Sequence, residues 1–246
     1  MRAPSYSKNV NEIFSPEFIN DPFPLYAHLR AQKPISEIGD SGFFLVTTWE
    51  LIKEVLKRED DFSANLIGVL CKTSEGIPGS FDFPDTGATS VIATADGKDH
   101  SRHRNILSPA FTHHALAKFE SYIREIAEED LYILLRDRGG SCIPFIEKIP
   151  ALAITKLLGL PCNESDQFIR WAMIGGSMLA GEVSVRQLEY LARETEVMKS
   201  YLSMHFDKSY RLDWTLSEPL LTLLHREYDE GTITRDEAIG ISVILF

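Results

Sequence analysis

The stretch Asp96 to Phe111, DGKDHSRHRNILSPAF, gathers His100, Arg102, His103 and Arg104 in a chain whose formal net charge is -11. Such a cluster suits an anion or, through the imidazoles, a metal ion. His100 and Arg104 are four residues apart, about 6 Å along an α-helix and on one face. A guanidinium with an imidazole beside it suits a carboxylate-bearing ligand. Zinc is a rival, because His100, His103, His113 and His114 place four of the seven histidines within fifteen residues. Pro109 separates the two pairs, however, adjacent His113 and His114 diverge on a helix, and no cysteine or carboxylate completes a ligand pattern. A solvated basic helix face is the third reading.

Other chemistries find less support. GGSMLAG around Ser177 is not G-x-S-x-G and lies in a helical context, and no Gly-rich phosphate loop follows a strand. Cys71, Cys142 and Cys162 lie far apart with no C-x-x-C spacing, which argues against a disulfide framework or a zinc knuckle. The acidic balance argues against a nucleic-acid partner. The first residues carry no apolar signal segment, and no run approaches the roughly 18 apolar residues that span a bilayer. A cytoplasmic protein without a membrane partner is expected. At 246 residues and 44% hydrophobic content the chain can build a real core.

Helical periodicity dominates the elements that must position the cluster, with one strand-like island. DPFPLYAHLRAQ offers Asp21 as a cap and Leu25, Tyr26 and Leu29 on one face. Ile35 and Ile38, a turn at Gly39 to Gly42, and Phe43 to Val46 predict two short strands. Thr48 then caps a helix carrying Leu51, Ile52, Val55 and Leu56. Residues Phe62 to Gly97 lack sustained periodicity and contain Pro78 and Pro84 among several glycines, which predicts a long functional or mobile loop. From Lys98 onward helix follows helix. One continuous segment from His113 places Leu116, Phe119, Ile123 and Ile126 on a stripe and stops at Gly139-Gly140. Others end at Gly159, begin near Asn163, and run from Val183 to Phe206. Thr234 and Glu237 form a capping box for the last helix. That helix reaches Phe246 without a C-cap, so a truncated chain or a fragment is expected.

The order of these segments resembles the N-terminal half of a cytochrome P-450, a haem-thiolate monooxygenase of the soluble bacterial type. DPFPLYAHLRAQKPI, GFFLVTTWELIKEVLKREDDFSA and DGKDHSRHRNILSPAFTHHALAKF carry the likeness. IPALAITKLLGLPCNESDQFIRW and TRDEAIGISVILF continue it in the same order. The H-x-x-x-R helix followed by P-A-F is its most specific piece. The resemblance implies a mainly α fold with a small β element, comprising helices A to H and the start of helix I. It treats residues 1–246 as a single partial domain.

By the same resemblance His100 and Arg104 hold the haem propionates. Phe81, Phe83, Val91, Ile92 and Ala93 in the loop, with Trp171, Met173, Met178 and Leu179 on the later helix, face substrate; ordinary core packing is the competing reading of the helical residues. Arg102, on another face of the helix, is the candidate contact for an electron donor, either a ferredoxin or a flavoprotein reductase. The family's acid-alcohol pair, its E-x-x-R helix and its cysteine loop have no counterpart in these residues. The axial thiolate is therefore expected outside this chain, with no catalytic or metal-binding residue within it. Two functions follow: an oxidoreductase that is inactive as this chain alone, acting on an apolar organic substrate with O2 and external electrons, or a noncatalytic helical module that binds an apolar ligand or a protein partner.

Overall fold

The computed structural model describes residues 9–83, 89–179, 183–209 and 218–246, apart from the side chains of Ser165 and Leu179. The chain divides into two compact units, one from 1–88 with 176–192 and the other from 89–175 with 193–246.

In the first unit, Ser15 caps α1 (Pro16–Asn20) by accepting from the Phe18 N–H at 3.2 Å, and Pro16 supplies the preset first turn. Helix α2 (Phe23–Gln32) starts one residue later than an Asp21 cap would set it. Pro22 is the N-cap, and its carbonyl accepts from the Tyr26 N–H at 3.1 Å. Leu25 and Leu29 turn inward and join Ile13, Phe14 and Ile38. The predicted strands form as β1 (Ile35–Glu37) and β2 (Phe44–Val46), antiparallel with Ile35 opposite Val46. Gly39 and Gly42 supply the positive φ of the turn, +58° and +76°. In α3 (Trp49–Lys57), Leu51, Ile52 and Val55 are half-buried while Leu56 is exposed.

The aperiodic stretch after Phe62 is not a plain loop. It contains a hairpin, β3 (Gly68–Lys72) against β4 (Pro78–Asp82), with Gly68 opposite Asp82 and Lys72 opposite Pro78. Gly68, Gly79 and Pro78 hide it from a reading based on strand composition. Its buried residues Val69 and Cys71 pack with Val183 and Leu188, and the Lys72 N–H donates to the Val183 carbonyl at 3.1 Å. Pro84 lies outside the described residues.

The second unit is helical. Helix α4 (Gly97–Leu107) leads through a 3-10 turn over Ser108–Phe111 into α5 (His113–Ala117), capped by Thr112. The single helix predicted after His113 breaks here, and α6 (Glu120–Arg136) begins anew after the buried Phe119. Burying that ring favours a turn at Lys118 over a straight rod. Helix α7 (Ile143–Leu158) ends at Gly159, whose φ of +83° makes the left-handed stop. Helices α8 (Ser165–Leu179) and α9 (Val185–Phe206) carry the chain on. Helix α10 (Leu220–Asp229) buries Leu220, Leu221, Leu223 and Leu224 and packs on α4, α7 and α11 (Arg235–Ile244). No described helix is long and apolar enough to cross a membrane.

Helix α6 packs on α7, yet Tyr132 and Leu135 of α6 and Ile143 and Ile146 of α7 stay at least 60% exposed. Apolar surface of this kind promotes association. The purified chain should bind an apolar dye and scatter light, and Leu135→Lys with Ile146→Lys should reduce both without moving the unfolding midpoint. Leu221→Ala, at a fully buried position, should instead cost about 2 to 5 kcal/mol in denaturant unfolding.

Candidate functional site

Helix α4 carries Lys98 and four clustered basic side chains, His100, Arg102, His103 and Arg104, and the fold treats those four in two pairs. His103 is fully buried. Its Nδ1 accepts from the Ile92 N–H at 3.2 Å, which assigns the ring proton to Nε2, 3.1 Å from Glu237 Oε1. Arg102 forks onto the same carboxylate, with Nη2 2.6 Å from Oε1 and Nη1 3.2 Å from Oε2. It also donates to the Thr232 carbonyl at 2.7 Å and to Asp99 at 2.8 Å. Glu237 completes the predicted capping box: Oε2 accepts from the Thr234 N–H at 2.7 Å, and the Glu237 N–H donates to Thr234 Oγ1 at 3.1 Å.

Burial alone would push the Glu237 carboxyl up. Hydrogen bonds from Arg102, the Thr234 N–H and His103, with the charge of Arg102, outweigh it and hold the group at about 2. The hydrogen bonds from Arg102 to Glu237 and to Asp99, with the charges of both carboxylates, raise Arg102 above its ordinary value. Arg102 is therefore not the free outward group expected for an electron-donor contact: its side chain is 30% exposed and both Nη atoms donate internally. Its partner lies 135 residues away, and the capping box gave Glu237 a sufficient local role, so no sequence signal revealed the pair.

His100 is half-buried and Arg104 exposed, one turn apart on α4. Among the described residues neither side chain has a hydrogen-bond or ion-pair partner. Two uncommitted donors on one helix face fit a carboxylate-bearing group.

The other predicted contacts fall in different surroundings. In the first unit Phe81 and Phe83 meet edge to face at 6.2 Å and, with Met178, pack on Val69, Cys71, Val183 and Leu188. The side chain of Leu179 lies outside the described residues. In the second unit Val91 is buried, Ile92 half-buried and Ala93 exposed. Trp171 is buried beside Phe168 and Tyr201, at 5.9 and 5.1 Å between ring centroids, while Met173 is exposed. A groove of about 590 Å³ along α5 and α6, lined by Leu116, Ile123, Ala127 and Leu131 among others, includes none of these residues.

The thiols are dispersed. Cys71 is buried, and burial, then the charge of Asp82, pushes its thiol up; Cys142 is exposed; Cys162 accepts from the Tyr122 hydroxyl at 3.4 Å. Among the described residues no group of three or more His, Cys, Asp or Glu is placed to hold a metal ion.

Glu237→Ala should destabilise the chain by about 3 to 5 kcal/mol in urea unfolding, since it leaves Arg102 and His103 without their acceptor. Arg104→Ala should leave the midpoint unchanged. Because the Glu237 value is depressed on folding, its contribution is present above the ordinary value of 4.5 and disappears as pH falls toward about 2. A pH series of unfolding midpoints should show that loss, and Glu237→Gln should flatten it.

No protein-family model matches the chain. By sequence it is 28% identical over 208 residues to cytochrome P-450 144 of Mycobacterium tuberculosis, covering 82% of this chain and 47% of that protein. It is 28% identical over 166 residues to a steroid C26-monooxygenase of Mycolicibacterium smegmatis, covering 63% and 38%. In fold it matches P-450 BioI, solved in complex with a hexadec-9Z-enoic acid ligated acyl carrier protein, with a TM-score of 0.76 at 18% identity over 94% of this chain and 58% of that one. It also matches CYP109E1 of Bacillus megaterium, solved with testosterone, with a TM-score of 0.71 at 19% identity over 92% and 55%. The chain spans about half the length of the relatives it matches. By sequence the chain is similar to cytochrome P-450s, and its fold is that of the N-terminal half of that family.

Proposed function

We propose that the chain supplies the propionate-binding and substrate-facing part of a haem monooxygenase that acts on an apolar organic substrate. The observation that carries this reading is the sorting of charge on α4: Arg102 and His103 are consumed internally, while His100 and Arg104 have no partner among the described residues. In this reading His100 and Arg104 hold the two haem propionates and orient the macrocycle. Haem, when bound, supplies the O2 chemistry that inserts one oxygen atom into the substrate. Phe81, Phe83, Val91, Ile92, Ala93, Trp171, Met173, Met178 and Leu179 contribute apolar contacts and exclude water. Relatives named for steroid oxidation, and solved structures holding testosterone or a long acyl chain, support an apolar substrate class. Electrons come from a ferredoxin or a flavoprotein reductase.

The axial thiolate belongs outside this chain. The surroundings of Cys71, a buried thiol pushed up by its burial, oppose a thiolate there, and Cys142 and Cys162 sit apart from α4 in sequence. These 246 residues alone are inactive on this reading. A second reading, a noncatalytic module for an apolar ligand or protein partner, is favoured by the apolar groove along α5 and α6; haem-independent binding abolished by Leu116→Lys would select it.

Reduced chain mixed with haem should give no thiolate-type Soret band in a carbon monoxide difference spectrum. Such a band would place the ligand at one of the three cysteines and overturn the assignment. Exposed ion pairs contribute roughly 0 to 1 kcal/mol each, so the chain should prefer haem over its dimethyl ester by at most about thirtyfold. His100→Ala with Arg104→Ala should erase that preference, and an undiminished preference would remove the two residues from the propionate site.

A further inference from the structure

We propose that His103 is a positioning residue for the apolar turn at Val91–Thr94, and that Glu237 holds the imidazole in the tautomer the task requires. The functional part of this inference rests on the reading that Val91, Ile92 and Ala93 face substrate.

Ile92 has a φ of +35°, a conformation that a β-branched residue adopts only when its surroundings impose it. Several contacts impose it here. Thr94 Oγ1 accepts from the Val91 N–H and donates to the Val91 carbonyl, both at 3.1 Å, and the Thr94 N–H donates to that same carbonyl at 2.9 Å. Val91 itself lies against α11, where a Cβ placed on Gly240 would come within 3.1 Å of its Cγ2. These contacts close the turn around Val91 and Thr94 but leave the N–H of Ile92 to be satisfied from outside, and His103 Nδ1 satisfies it.

A neutral imidazole accepts at only one nitrogen, so the bond to Ile92 requires the proton on Nε2. Glu237 secures that arrangement. Its carboxylate, held ionised by the Arg102 fork and the Thr234 N–H, offers Nε2 only an acceptor. The opposite tautomer would aim the Nδ1 proton at an N–H and a bare Nε2 at an anion. From every neighbouring element the charged groups involved are Glu237 on α11, with Arg102 and, through it, Asp99 on α4. A relay thus runs from Arg102 through Glu237 and His103 to the backbone of Ile92. It sets the direction of two of the apolar side chains assigned to substrate, and the expected role is selection among substrates.

Two substitutions separate the nitrogens. In His103→Asn the amide oxygen stands where Nδ1 stands and can still accept from Ile92; in His103→Gln the amide reaches the Nε2 position and keeps Glu237 but loses Ile92. Amide hydrogen exchange on the 246-residue chain should show Ile92 protected in wild type and in His103→Asn, and about tenfold faster in His103→Gln. Nitrogen-15 spectra of the wild-type imidazole should place the proton on Nε2, a readout that needs no variant to fold. A proton on Nδ1, or equal Ile92 exchange in the two variants, overturns the proposal. Titration with a long-chain fatty acid tests the reading beneath it: weaker binding to His103→Gln than to His103→Asn supports both, whereas equal affinities beside a released Ile92 amide remove the turn from the substrate site and leave the positioning role standing.

Discussion

A carboxylate taken out of water must be met by several donors at once, or it destabilises the fold that buries it. Glu237 is met by four: both Nη atoms of Arg102, Nε2 of His103 and the N–H of Thr234. These donors come from α4 and from the first turn of α11, so the arrangement exists only when α4 presents one particular face to α11. Pinning Arg102 and His103 sets the rotation of α4 about its axis. With about 100° between successive residues, His100 and Arg104 then point roughly 130° away from the committed pair. The candidate anion site is in this sense a by-product of an internal tie: Arg102 and His103 are committed to Glu237, and the helix turns His100 and Arg104 elsewhere.

The same carboxylate reaches the turn before α4 through a neutral ring. Imidazole differs from a guanidinium here because it donates on one side and accepts on the other, so a single buried side chain transmits the polarity of Glu237 to the backbone of Ile92. A strained φ is tolerated where surrounding contacts outnumber the ways of relaxing it. Thr94, Gly240 and His103 supply those contacts from three separate elements.

Apolar residues that the family resemblance places near substrate behave as two populations. Val91 and Trp171 are buried within the second unit, while Ala93 and Met173 are exposed. Phe81, Phe83 and Met178 lie half-buried on the small core of the first unit. Burial satisfies the hydrophobic term for the first pair without any ligand. The exposed and half-buried members retain apolar surface for a partner to cover.

Much of the helical architecture was legible in the residues. Leu25 and Leu29 marked α2, Gly159 marked the stop of α7, and Thr234 with Glu237 marked the start of α11. These signals are local, because each depends on a few neighbours in sequence and on the 3.6-residue repeat. The pairing of His100 with Arg104 was legible for the same reason. The hairpin β3–β4 was not, since Gly68, Pro78 and Gly79 suppress strand composition and its pairing depends on residues facing across a turn. Nor was the break before α6, which Phe119 earns by burial that no periodicity encodes. A helical repeat states which residues share a face but not what that face will meet. Which of His100, Arg102, His103 and Arg104 on α4 would be committed and which left open was decided only when Glu237, more than 130 residues later, was brought against Arg102 and His103.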